Sequence, residues 1–211
     1  MEPRRIAVAA LALSVLFWVA VVVAGSSNPN YSQSRDYISA LASVGAGRPW
    51  LGMFAIAAVG ASFVLLWPLV RPFSRTAAIA VALAGVLYVF AALARIRCVE
   101  GAAFCGIGDR RNIDLENTRG YIHEAAVVSA TLAIIVSMAA FGIALLRARH
   151  TVGGVVSLAA AVATVLTFAL TNGDSPGTMQ RIWVGVMMLW VAGVAAWTLI
   201  RAHDPSASVA A

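Results

Sequence analysis

Long apolar runs alternate with short polar ones along the chain, and the runs are solid blocks rather than amphipathic stripes. Six blocks, near 5–25, 50–70, 76–95, 121–146, 152–171 and 180–200, match the roughly 20 apolar residues a helix needs to cross a bilayer core. None carries an unpaired charge near its middle. The pattern predicts an all-α integral membrane bundle of six transmembrane helices over residues 1–202, with a flexible tail at 203–211. Two of the connecting loops are about five residues long, so helices 2 and 3, and helices 4 and 5, are expected as tight antiparallel hairpins. The opposite face carries two long segments, 26–49 and 96–120, and the short "NGDSPGTM". No internal repeat is visible and the two halves have unlike loops, which speaks against the inverted-repeat plan of many transporters.

Composition sharpens this picture. Only 11% of the 211 residues are charged and the mean hydropathy is +0.87, whereas soluble domains carry about 25% charged residues. The first run, Ile6 to Ala24, follows a basic "MEPRR" but exceeds the 7–15 residues typical of a signal peptide, so a retained helix is expected. All 15 basic residues are arginine, spread over every loop, which argues against nucleic acid as partner. Both termini share a side with the loops "RPFSR" and "RARHT"; that side holds seven arginines against Glu2 and Asp204. The other side holds eight arginines against seven acids. Positive charge concentrates on the cytoplasmic side of short loops, so both termini are expected in the cytoplasm of a bacterial inner-membrane protein.

Candidate chemistry gathers on the other face. Cys98 and Cys105 have six residues between them, wider than a usual zinc-ligand pair, and a disulfide bracing an extracytoplasmic loop cap is the first expectation. A metal site adding His123, or free thiols, are the alternatives. His123 and Glu124 open helix 4, where the helix dipole favours a carboxylate and a histidine can carry protons. "YSQSRDYISAL", residues 31–41, suggests a short amphipathic element lying on the outer surface. Asp36 within it could meet Arg95 or Arg181, since ionisable groups near a bundle tend to face inward and pair. Asp174 is a further partner for Arg181, which otherwise opposes the dipole of helix 6. Asp36, Arg95, His123, Glu124, Asp174 and Arg181 are therefore the candidate ligand-site residues, either around a cavity or as a polar clamp.

Three spacings add detail. Trp50 and Trp67 are 17 residues apart, about 25 Å along a helix, which suits an aromatic belt at the two interfaces. Trp183, Trp190 and Trp197 recur every seven residues, either as a packing or lipid-facing stripe or as a stacking surface for a ligand. Ser157, Thr164 and Thr171 share that period and mark the inward face of helix 5, as small and hydroxyl residues do.

No H-E-x-x-H, G-x-S-x-G or Walker loop is present, and no histidine pair stands at helical spacing. No cofactor or metal is expected. The ordered set "YSQSRDYISAL", a cysteine-bearing second outer loop, "YIHEAAVV" and "GTMQRIWVGVMMLW" resembles the family called "domain of unknown function 998" across nearly the whole chain. Members often carry an acid before the last-helix arginine; here that position is Gln180. The resemblance implies six or so spans and carries no activity. The expected partners are the bilayer, a lipid or small hydrophobic ligand at the outer face, and other membrane proteins. The alternative is a membrane-embedded hydrolase-like enzyme with His123 as base and Asp36 orienting it.

Overall fold

Three of the six long helices begin on proline, where the missing N–H would lack a partner anyway and φ is already helical. These are α1 (Pro3–Ser26), α2 (Pro49–Val70) and α6 (Pro176–Ala202). In α3 (Arg75–Leu93) the Ser74 hydroxyl caps the first turn, accepting from the Ala77 N–H at 3.1 Å. The others are α4 (Thr118–Arg147) and α5 (Thr151–Ala169), the latter finished by a 3-10 turn over Leu170–Asn172. The computed structural model describes residues 2–96 and 118–202. Cys98, Cys105 and the 203–211 tail lie outside the described residues.

The shortest helices have 19 residues, about 28 Å at 1.5 Å per residue, close to the thickness of a bilayer core. Each helix packs on its neighbours in sequence, and α1 closes the ring against α6. Phe17, Phe63, Phe141, Ile134, Met138 and Met187 fill the centre with almost no exposure. The outward faces are just as apolar: Val15, Val22, Val152 and Leu189 are all exposed. A water-soluble bundle would be polar there.

Two close contacts fix the frame. A Cβ added to Gly60 of α2 would stand 2.5 Å from the Gly85 carbonyl oxygen of α3, and one on Gly85 the same distance from that of Gly60. Only glycine lets the two backbones approach this far. At the end of α4, Arg149 takes φ 62°, in the left-handed region, while His150 N–H donates to Leu145 at 2.8 Å and Arg149 N–H to Leu146 at 3.0 Å. That paired closure turns the chain directly into α5.

The polar run before Ile38 predicts an element lying on the surface. Instead, Ile38–Ala42 form a 3-10 turn set into the loop end of the bundle, with Ala40 and Leu41 at 0% exposure. It packs on α1, α2 and α6. The reason lies in "ISALA" itself, whose side chains are mostly apolar and small enough to fit among helices. Its flanks, not its middle, are the polar part.

Candidate functional site

A non-helical segment buried among helices must have its N–H and C=O groups satisfied by side chains. The residues around Ile38–Ala42 do this. Gln180 Oε1 accepts from the Ile38 N–H at 2.5 Å. Arg95, just past the end of α3, donates from Nε to the Ala42 carbonyl at 3.0 Å and from Nη2 to that of Ser43 at 3.1 Å. Arg181 Nη1 donates to the carbonyls of Gln33 (2.5 Å), Gly177 (2.8 Å) and Asp36 (3.0 Å), and its Nη2 donates to the Tyr31 hydroxyl. Its guanidinium also lies 5.3 Å from the Tyr31 ring centre. Gly177 makes the approach possible, since a Cβ there would sit 2.5 Å from the Asp36 carbonyl oxygen.

Asp36 is buried, yet its carboxylate does not bind either candidate arginine. Oδ2 accepts from the Ser32 N–H at 2.6 Å while its own N–H donates to Ser32 at 2.7 Å, closing a local turn. Among the described residues the one ion pair is Arg5 with Glu2, at 3.7 Å. Arg181 therefore clamps main chain rather than an acid. Asp174, expected as a partner for it, is exposed, as is Glu124. Burial pushes the Tyr31 phenol up to about 12 despite the neighbouring Arg181. The phenol stays protonated and accepts from that arginine.

His123 is buried, with Nδ1 2.8 Å from the Ala91 carbonyl. It borders a cavity of about 30 Å³ together with Tyr88, Gln180 and Trp183. That is the space of about one water molecule, not of a lipid. Trp183 Nε1 is buried without a hydrogen-bond partner among the described residues. Asp36, Arg95, Glu124, Asp174 and Arg181 do not border this space. Of the six candidates, Arg95, Arg181 and the Asp36 main chain meet in the clamp, and His123 stands apart from it. Sequence reasoning gave Gln180 no role in the clamp, and passed over Asn28 entirely. Asn28 ties the start of the loop to its end: Nδ2 donates to Ala24 at 2.8 Å and Oδ1 accepts from Gly47 N–H at 2.7 Å. An asparagine just past a helix end was the available signal.

The larger space is elsewhere. A half-open groove of about 550 Å³ runs between α4, α5 and α6 towards the face that carries the termini. Its walls include Val152, Val156 and Leu189, all exposed on the outer side, so it opens sideways. Its floor is aromatic: Trp190 and Trp197 line it, with Phe141 6.1 Å from the former and 6.2 Å from the latter. The Trp190 N–H donates to the Ser157 hydroxyl at 2.9 Å, and Ser157 donates to the Met138 carbonyl at 2.7 Å. The tryptophan series of α6 thus faces inward, and its last two members face the groove. Ser157 and Thr164 are both buried on the inner side of α5.

Six helices long and apolar enough to span a bilayer, with apolar outer faces, define a multi-pass membrane protein. Its lipid bilayer environment follows from the same helices. The chain belongs to the family described as "Protein of unknown function (DUF998)", whose model matches residues 11–197. No curated protein and no solved structure matches it.

Proposed function

We propose that the protein binds a lipidic molecule laterally from the membrane, without catalysis, and that the groove between α4, α5 and α6 receives the apolar chain. The groove carries this reading. Its volume of about 550 Å³ falls within the roughly 300–1,000 Å³ of ligand pockets. Its walls are apolar, and its open side faces the hydrocarbon that would supply the ligand. The loop face offers less, because Arg95 and Arg181 are engaged with main chain and the described cavity beside His123 is one water wide. An enzyme using His123 and Asp36 would need them to converge, whereas each is bonded to a different main-chain group.

The same proposal places the protein in a bacterial inner membrane with both termini cytoplasmic, and braces the loop face with a Cys98–Cys105 disulfide. Alkylation before and after reduction, followed by intact mass, tests that bond. The lipid reading is tested by native mass spectrometry of the purified full chain released from mild detergent. A retained lipid is expected on the wild type and its loss on Gly193→Leu. A Cβ at Gly193 meets nothing within 4 Å, so the larger side chain enters the groove without disturbing the helices. Equal lipid retention by wild type and a folded Gly193→Leu would overturn the reading.

A further inference from the structure

The groove ends near the face of the termini, at the start of α5. His150, Thr151, Val152 and Gly153 line that end. His150 precedes α5 and the other three open its first turn, which has no side-chain cap. The first N–H groups of an uncapped helix face outward with the positive end of the dipole, a favourable setting for an anion. Two arginines adjoin residues that line this end, without lining it themselves. Arg149, held in the left-handed conformation, immediately precedes His150 and is exposed. Arg201 stacks over Trp197, 4.9 Å from its ring centre, and over Phe73 at 5.8 Å. Stacking fixes Arg201 beside the aromatic floor. The one described acid on this face, Glu2, is bridged to Arg5.

We infer that the occupant is an anionic phospholipid, its phosphate at the Arg149–Arg201 end and an acyl chain along the groove. The inference rests on the groove binding a lipid and adds the class of headgroup. Charge complementarity supports it: an apolar channel leads to a cationic end with no free carboxylate among the described residues. Arginine presents a planar fork suited to phosphate oxygens. A membrane-facing cation near the surface contributes enough to favour an anionic lipid by about fivefold per residue.

The test is native mass spectrometry of the full chain in mixed micelles supplied with equal phosphatidylglycerol and phosphatidylcholine of matched acyl chains. The wild type is expected to retain phosphatidylglycerol several-fold over phosphatidylcholine. Arg149→Gln with Arg201→Gln should bring the ratio close to one while still retaining lipid. Arg201→Lys keeps the charge and should keep most of the preference, which separates a headgroup effect from a folding defect. Retention of both lipids without preference in the wild type, or a preference unmoved in the double variant, overturns the headgroup assignment and leaves lipid binding standing. No retained lipid on the folded wild type overturns both. A mass equal to two chains, replacing the lipid-bound species, would assign the groove to a second copy and likewise overturn the assignment.

Discussion

Replacing Arg181 by methionine tests the clamp most directly. The guanidinium holds three carbonyls, at 2.5, 2.8 and 3.0 Å, and the Tyr31 hydroxyl. Hydrogen bonds to charged groups contribute about 1.5–3 kcal/mol each, but they do not add fully. Gln33 is exposed, so its carbonyl returns to water, and Gly177 stays in the helical ladder. The loss therefore falls on the Asp36 carbonyl and the buried side of Tyr31, for a total of about 3 kcal/mol. In a chain of this size that lowers the melting temperature by about 6–12 °C. Thermal unfolding in detergent, followed by intrinsic fluorescence, reads it. Arg181→Lys should fall between, because one ammonium cannot span carbonyls fanned around a planar fork. A methionine variant melting within about 2 °C of the wild type would refute the clamp, and a lysine variant equal to wild type would refute its dependence on the fork.

Three further outcomes follow from described contacts. Asp36→Asn keeps an acceptor for the Ser32 N–H and should cost under about 1 kcal/mol by melting, whereas Asp36→Ala should cost about 1–2 kcal/mol; a large loss for asparagine would mean that the charge matters through an arginine after all. Gly60→Ala should destabilise by about 1–3 kcal/mol because its methyl meets the Gly85 carbonyl, and a cost below about 0.5 kcal/mol would show that the helices part easily. Tyr31 holds its proton more tightly folded, with a pKa of about 12 against 10.0 unfolded, so its contribution is complete below pH 10 and is lost as pH rises through 12. The melting-temperature gap between wild type and Tyr31→Phe should narrow over that range, and a constant gap would contradict it.

The membrane-spanning plan was legible because burial in lipid demands long apolar runs, and nothing else in the chain resembles them. The inward side of α5 was legible too, since Ser157 and Thr164 recur at the period that puts them on one face. The clamp was legible only in its membership. Arg95, Arg181 and Asp36 stand out as charges near helix ends, but their partners are main-chain carbonyls and N–H groups, which every residue has and no residue name advertises. For the same reason the sequence invites an acid–base pairing that the described residues do not form. The burial of "ISALA" was hidden by its polar flanks. The groove was legible only in its tryptophans, whose seven-residue period allowed a stacking surface for a ligand; that Trp190 and Trp197 line an open space with α4 and α5 depends on how the helices pack, which residue names do not carry.

The ring of helices has a consequence for assembly in the membrane. α1 enters first, yet beside its packing on α2 it also rests on α6, which enters last. The Ile38–Ala42 turn is in the same position, because Gln180 and Arg181 that hold it belong to the final helix. Until the last span arrives, the chain is an open arc with a loose plug and unsatisfied main chain at its edge. Closure of α6 then seals the seam and seats the plug in a single event. A chain interrupted before that point exposes both defects together, which gives membrane quality control a clear mark by which to tell finished molecules from unfinished ones.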